Sequence, residues 1–140
     1  MNSPVARLLA FLLLFACARA GAQAQVPQHD IDVRLDPASG EIEIVDRLQV
    51  EGRDQYVFVL APWLEIEKLA IDGSTAIPRR KGNHWSVSLP DRGRHRLEFS
   101  LSGRLPARTP TASYAGASSG ADGAYLPGYD SWIAIDPSRP

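Results

Sequence analysis

The stretch Gly116-x-Ser118-x-Gly120 matches the nucleophile motif of a serine hydrolase. In such enzymes the serine lies on a strained turn between a strand and a helix, which exposes its hydroxyl beside the oxyanion donors. The residues around Ser118 are mostly Ala, Gly and Ser, and they predict neither the strand before the serine nor the helix after it. The sequence therefore predicts a chance match at Ser118.

The three histidines and their acidic neighbours are the residues whose types could hold a metal ion. His29 stands beside Asp30 and near Asp32, but alternation puts both carboxylates on the solvated face of a strand, where no metal is needed to explain them. His84 and His95 flank turns and lack a ligand-type partner at helical spacing, so surface histidines are expected. The sequence thus predicts no catalytic, cofactor-binding or metal-binding residue in this chain.

Aromatic residues offer a possible stacking platform for a sugar or a peptide. The candidates are Trp85 and the group Tyr125, Tyr129 and Trp132. Core packing explains Trp85, and docking of a loop on the sheet explains the group, so we prefer these interpretations.

Two basic clusters, residues 79–81 and 92–96, could contact nucleic acid or an anionic lipid. Both lie beside turn residues, so we interpret them as solvated hairpin ends. The chain without Arg7 and Arg19 is mildly acidic, and no nucleic-acid partner is predicted.

Apolar and polar residues alternate through most of residues 30–101, which is typical of strands with one buried face. The predicted inward residues are Ile31, Val33 and Leu35; Ile42, Ile44, Leu48 and Val50; Trp85, Val87 and Leu89; and Leu97, Phe99 and Leu101. Turn residues recur about every ten residues, and no helical pattern competes. The sequence predicts an all-β fold, an antiparallel sheet or sandwich.

Three irregularities in this alternation make specific predictions. Asp46 is an acidic residue on an apolar face, so we expect it at a sheet margin or a bulge. Residues 56–60 are apolar on both faces, which predicts a central strand covered on both sides. The apolar face of residues 64–71 switches from even to odd positions, which predicts a bulge near residues 67–68, before a tight turn at residues 72–73.

Composition divides the rest of the chain into three parts. Residues 25–105 form the predicted β domain, and residues 106–124, rich in Ala, Gly, Ser, Thr and Pro, are predicted to be a flexible loop. Residues 125–140 regain aromatic side chains and are expected to dock on the sheet. Residues 136–140 lack an apolar anchor, so the chain end is expected to be truncated.

Residues 1–24 have the parts of a cleaved secretory signal. A basic residue, Arg7, precedes an apolar run over residues 8–18, and small-residue exits follow at Ala20, Ala22 and Ala24. The run is shorter than the roughly 20 apolar residues that span a bilayer. We expect export to the periplasm or the extracellular space, cleavage after Ala24 or alternatively after Ala20 or Ala22, and no transmembrane segment in the mature chain.

Cys17 offers a minority alternative to this cleavage. The stretch Leu14-Phe15-Ala16-Cys17 has the outline of a lipoprotein processing site, although Phe15 fits poorly where a small residue is usual. Cleavage after Ala24 would instead leave no cysteine, which excludes disulfides and thiolate chemistry.

Several stretches follow one another in a suggestive order. They are residues 29–33 (HDIDV), 56–60 (YVFVL), 64–73 (LEIEKLAIDG), the strand of Trp85, 97–103 (LEFSLSG), 123–126 (GAYL) and Trp132. This order resembles the N-terminal β domain of the aminopeptidase N-like zinc metallopeptidases, the gluzincin aminopeptidases. The resemblance implies a saddle-like sheet domain that packs on a catalytic domain and helps to wall its substrate cleft.

The resemblance implies no catalytic role for this chain itself. The family holds zinc with H-E-x-x-H and a distant Glu on a following helical domain, and neither that motif nor the Gly-Ala-Met-Glu-Asn stretch occurs here. Ser100 stands where the family often has Tyr, and Ala134 where it has Pro. Zinc would belong to the absent catalytic domain, which is one expected partner; another envelope protein is the alternative.

Two other interpretations stay open. The chain could be a standalone periplasmic β-sandwich that binds a protein, peptide or glycan through its aromatic C-terminal segment. It could also be an envelope lipoprotein tethered through Cys17.

Overall fold

The computed structural model describes residues 28–108, 116–120 and 123–138, and they form strands, turns and one 3-10 turn at Gly128–Asp130. The strands are β1 (His29–Leu35), β2 (Glu41–Glu51), β3 (Gln55–Val59), β4 (Leu64–Ile71), β5 (Ser74–Thr75), β6 (Arg79–Lys81), β7 (His84–Ser88), β8 (Arg94–Arg104), β9 (Ser118–Gly120) and β10 (Gly123–Tyr125). This part of the chain is all-β, as the alternation predicts. The described residues contain no helix that is long and apolar enough to cross a membrane.

The larger sheet has the strand order β1-β2-β8-β4-β5, and every neighbouring pair is antiparallel. Its centre is the pair β2 and β8, which run side by side from Glu41 opposite Arg104 to Glu51 opposite Arg94. Alternate residues of both strands are buried because the period of a strand is two. The predicted inward faces of these two strands are therefore confirmed.

The switch of apolar face in β4 is confirmed as a bulge. The register of β4 against β8 shifts between Ile66 and Lys68, and Leu69 and Ile71 are buried beyond the shift. Asp72 and Gly73, with φ of 51° and 83°, then close the tight turn into β5. Two residues with positive φ match the right-handed twist of the strands they join.

The smaller sheet has the order β3-β7-β6 and is also antiparallel. The prediction that residues 56–60 form a central strand is wrong, because β3 lies at the edge of this sheet. Its inner residues, Tyr56 and Phe58, are fully buried. Its outer edge forms one bridge, between Val59 and Ile135. The apolar run thus reflects an edge strand covered by a later peptide segment.

The two sheets enclose one core between them. Phe58 of the smaller sheet meets Phe99 of the larger one edge to face, with ring centroids 4.9 Å apart. Tyr56 and Trp85 stack on either side of Phe58 at 5.8 Å and 6.5 Å. Aromatic pairs of this kind contribute about 0.5–1.5 kcal/mol each beyond their buried area.

This two-layer arrangement has two open sides, because each sheet ends in edge strands. On one side, residues 131–136 lie against β3 and reach Asp46 of the larger sheet. On the other side, β5 of the larger sheet continues into β6 of the smaller one through residues 76–78.

Residues 106–124, for which the composition predicts a flexible loop, are described in part, and the described part near their end contains strands. Residues 109–115 and 121–122 lie outside the described residues, but β9 and β10 pair as a hairpin, and Ser119 bridges Ala107. The hairpin lies close to the turn after β1. A Cβ at Gly40 would lie 2.6 Å from the Ser119 hydroxyl oxygen, so position 40 has no room for a side chain beside this hairpin.

Candidate functional site

A buried carboxylate on β2 is the centre of the main polar cluster in the described residues. Asp46 is 0 % exposed and lies mid-strand, opposite Ile31 of β1 and Phe99 of β8. The prediction that it sits at a sheet margin or bulge is wrong, because the register runs through it without a shift. A carboxylate buried in this way requires hydrogen-bond donors.

Asp46 finds its donors on two distant parts of the chain. His29 Nδ1 lies 2.8 Å from Asp46 Oδ1, and since a carboxylate oxygen only accepts, this nitrogen carries the hydrogen. The amide of Ala134 donates to Asp46 Oδ2 at 3.2 Å. The hydroxyl of Tyr56 donates to the Ala134 carbonyl at 2.8 Å. Both the amide and the carbonyl of the buried residue Ala134 are therefore hydrogen-bonded to side chains of the two sheets.

An ion pair holds the chain just beyond Ala134. Arg53 Nη1 donates to Asp136 Oδ2 at 2.8 Å, and the amide and hydroxyl of Ser138 donate to Asp136 Oδ1. Burial raises the pKa of the Asp136 carboxyl, but the hydrogen bonds from Arg53 and Ser138 outweigh it and hold that pKa below its ordinary value. Asp136 therefore stays charged and paired at neutral pH.

Backbone hydrogen bonds complete the attachment of the C-terminal segment, defined as residues 131–138. The amide of Ala61 donates to the Ser131 carbonyl at 2.9 Å, and the amide of Val59 donates to the Ile135 carbonyl at 3.0 Å. Trp132 and Ile133 pack against the core. We call His29, Asp46, Arg53 and Tyr56 the docking cluster, because their polar atoms fix this segment on the two sheets.

The candidate metal ligands are not brought together. His29 is occupied by Asp46, while Asp30 and Asp32 are exposed, as the alternation predicts. Asp32 instead accepts a hydrogen bond from Arg47 at 2.7 Å. Within residues 28–108, 116–120 and 123–138, no group of three ligand-type side chains is placed to hold a metal ion.

The candidate nucleophile lies in a strand. Ser118 opens β9 and pairs with Tyr125 of β10, so it is not at a strand-to-helix turn. Its neighbour Ala117 donates its amide to the carboxylate of Asp130. The local geometry is that of a hairpin attached to a 3-10 turn.

The histidine pair behaves in two ways. His84 is exposed, as predicted, but the prediction of a surface position is wrong for His95, which is 6 % exposed. His95 Nδ1 lies 2.7 Å from Asp72 Oδ2, and its Nε2 lies 3.1 Å from Asp91 Oδ1. Both partners are carboxylates, an arrangement that favours the ring with hydrogen on both nitrogens, the imidazolium. The hydrogen bond to Asp72, followed by that to Asp91, raises the pKa of His95.

Residues 79–81 lie at the end of the β6–β7 hairpin, as predicted. The prediction of a hairpin end is wrong for residues 92–96, because they lie between β7 and β8, which belong to different sheets, and at the start of β8. Arg92 binds Asp54 through two nitrogens, and Arg94 binds Glu51. Residues 79–81 form the exposed strand β6. Sequence reasoning missed the partners of the buried groups, and the one signal for them was the acidic residue on the apolar face of β2.

The sequence itself matches no protein-family model and no curated protein. Among solved structures, the fold is similar to a two-domain M1 zinc metallopeptidase, a mutant bound to L-arginine, with a TM-score of 0.60 and 16 % identity over 77 % of this chain and 28 % of that one. It is also similar to an M1 zinc metallopeptidase from Deinococcus radiodurans, with a TM-score of 0.55 and 16 % identity over 80 % of this chain and 30 % of that one.

A third similar structure is a mutant M1 zinc metallopeptidase from Deinococcus radiodurans, bound to a tyrosine-serine-alanine substrate. Its TM-score is 0.59 at 16 % identity, over 77 % of this chain and 28 % of that one. This chain spans less than a third of the length of these neighbours. The part that it matches is their N-terminal domain. The described residues therefore have the fold of the N-terminal β domain of M1 zinc metallopeptidases.

Proposed function

We propose that this chain serves as the exported, non-catalytic N-terminal domain of a zinc-metallopeptidase-like protein. The observation that carries the proposal is the fold similarity, which covers 77 % of this chain but only 28 % of a two-domain enzyme. The signal-like residues 1–24 support the export, to the periplasm or the extracellular space.

The docking cluster supports a role in positioning a following domain. Arg53 and Tyr56 belong to the smaller sheet side of the core, whereas Asp46 belongs to the larger sheet. Their contacts converge on residues 134–136, so the direction in which the chain leaves the domain is fixed relative to both sheets. A domain attached to that segment would take a defined orientation.

The described residues do not fit a zinc site of their own. Both oxygens of Asp46 accept hydrogen bonds within the fold, and both ring nitrogens of His95 face carboxylates. A zinc ligand must offer a lone pair to the metal, which His95 in this state lacks. We place the metal and the base that activates its water in the proposed catalytic domain.

The test is to isolate the natural polypeptide from the envelope fraction with an antibody raised against residues 28–108. We expect a polypeptide or a stable complex that contains about one zinc ion per chain, as catalytic sites of this class do, and that hydrolyses aminoacyl anilides. The purified 140-residue chain should show neither property. The proposal would be refuted if the native polypeptide is only as long as the 140-residue chain and no metallopeptidase is isolated in a complex with it.

The standalone binding module remains the second candidate, because one observation favours it. A large apolar side chain, Ile77, is 86 % exposed beside an open groove on the side of the fold away from the docking cluster. Exposed apolar groups rimmed by charge are typical of interaction sites.

A further inference from the structure

The open side between β5 and β6 carries a groove of about 510 Å³. Leu64, Ile66 and Leu69 of β4 line it, and Trp85 of β7 forms part of its wall. Ile77, in the linker that joins the two sheets, also lines it. Among the described residues, the only other large apolar side chain that is exposed is Val33, at 41 %, so the prediction that Val33 faces inward is wrong. Leu64 and Leu69 are buried at the base of the groove, so Ile77, at 86 % exposure, is its main exposed apolar side chain.

Cations without carboxylate partners are concentrated on the same side. Ion pairs within the described residues engage Arg34, Arg47, Arg53, Arg92, Arg94 and Arg104. No such pair involves Lys68 or the three residues of β6, although all four are exposed. Glu65 and Glu67 are the acidic residues that line the groove. The local charge is therefore net positive.

The backbone of β6 offers an edge to which a strand can be added. The β6–β7 hairpin has Gly82 at its first turn position with φ of +64°, and Lys81 lies opposite His84. A two-residue turn of this type is closed by a hydrogen-bonded pair, and such pairs alternate with non-bonded ones along the ladder. Arg80, opposite Trp85, is therefore at a non-bonded position, and its amide and carbonyl point away from β7.

The side chains of β6 divide between two faces of the sheet. Arg80 lies over the ring of Trp85, with 5.4 Å between its guanidinium carbon and the ring centroid, and it lines the groove. Arg79 and Lys81 lie on the opposite face, because neighbouring residues of a strand alternate. A strand paired with β6 would place alternate side chains beside the groove and beside these two cations.

We propose that this edge binds an extended, acidic segment of a partner protein as an added strand. The segment has alternating apolar and acidic residues, so that an apolar side chain enters the groove beside Ile77 while carboxylates face Arg79 and Lys81. Main-chain hydrogen bonds supply affinity in this mode, and the alternate side chains supply specificity. The positive edge repels a second copy of itself, which restricts pairing to partners of opposite charge. The inference stands whether or not a catalytic domain follows this one.

The experiment titrates the isotope-labelled full chain with the capped peptide Glu-Val-Glu-Val-Glu and follows amide resonances. We expect saturable shifts at residues 79–81 and at the Trp85 indole, weakened by salt. The double substitution Arg79→Glu with Lys81→Glu should lower the affinity about tenfold or more, since it replaces attraction by repulsion. Arg96→Glu is the matched control, because Arg96 is an exposed cation of β8 outside every ion pair of the described residues.

Arg80→Pro tests the edge itself, because proline removes the outward amide without removing a β6–β7 hydrogen bond. Binding should be lost in this variant and retained in Arg80→Lys. If Arg80→Pro fails to fold by circular dichroism, the charge-reversed pair decides alone. Absence of saturable shifts at millimolar peptide, equal weakening by Arg96→Glu, or binding of the chain to phosphatidylglycerol vesicles but not to the peptide would each overturn the proposal.

Discussion

Asp46 and Ala134 are 88 positions apart in the sequence, yet the Ala134 amide donates a hydrogen bond to the Asp46 carboxylate inside the core. His29, from the first strand, binds the other oxygen of the same carboxylate. One side chain thus connects the first strand, the second strand and the C-terminal segment.

Replacement of Asp46 by alanine should lower the free energy of unfolding by about 1–3 kcal/mol for each donor that loses its acceptor, namely the buried Ala134 amide and the part-buried His29 ring. Urea denaturation of the full chain measures the change. Asp32→Asn is the control: its carboxylate is an exposed partner of Arg47, and such pairs contribute about 0–1 kcal/mol. Equal losses in the two variants would contradict the role that we assign to Asp46.

The stability of the fold should depend on pH through His95. Its pKa in the folded chain is raised above the ordinary 6.5, so its contribution is complete below that value and is lost as pH rises through the folded pKa. The pKa of its partner Asp72 is lowered by the Arg96 amide and by His95, so that contribution is lost as pH falls below the ordinary 3.8. The melting temperature should therefore be highest at pH values between the ordinary pKa of Asp72 and the raised pKa of His95.

Substitution identifies the group responsible for the alkaline limit. His95→Gln should flatten the decline of the melting temperature above neutral pH, whereas His84→Gln, at an exposed position, should leave the decline unchanged. An alkaline decline that persists in His95→Gln would assign the effect to another group.

Gly40→Ala should detach the β9–β10 hairpin. Gly40 has φ of +76°, and an added Cβ would meet the Ser119 hydroxyl; Gly52 has φ of +75° but nothing within 4 Å. Both alanine variants incur about 1–2 kcal/mol of backbone strain. Only Gly40→Ala adds overpacking, about 1–3 kcal/mol more. Hydrogen exchange at residues 118–125 should increase in Gly40→Ala alone, and an equal increase in Gly52→Ala would show that this contact is unimportant.

If the chain is exported as we propose, the mature protein should begin at Gln25, because a small-residue exit at Ala24 follows the apolar run. The intact mass of the protein from the envelope fraction checks this directly. A mass that retains Met1, or a diacylated Cys17, would contradict the preferred cleavage.

The sequence predicts the features of this fold that depend on neighbouring residues. Alternation located the inward faces of β2 and β8, and the change of parity in β4 located its bulge. The small residues of β9 predicted a flexible loop by composition, but Ser119 lies against Gly40, which is far away along the chain. Composition does not report which surface a segment will meet.

The polar cluster could be predicted only in part, for the same reason. The acidic side chain of Asp46 indicated that the apolar face of its strand is interrupted. Its hydrogen-bond donors could not be predicted, because they belong to residues 29 and 134, which are distant in sequence. His95 is similar, since its carboxylates lie on two different turns, at residues 72 and 91. Alternation predicts on which face of the sheet a side chain lies, but it does not predict which residues that side chain contacts.

The attachment of Ala134 also sets the order in which the molecule can fold. Asp46 and Tyr56 both form hydrogen bonds with Ala134, which is synthesised 88 positions after Asp46 and 78 positions after Tyr56. Contacts of such separation form slowly, because the intervening chain must first close a long loop. Nascent polypeptide that has not yet reached residue 134 therefore lacks a finished core. If the chain is exported unfolded, as we propose, its last core contacts would form only after its C-terminal segment arrives.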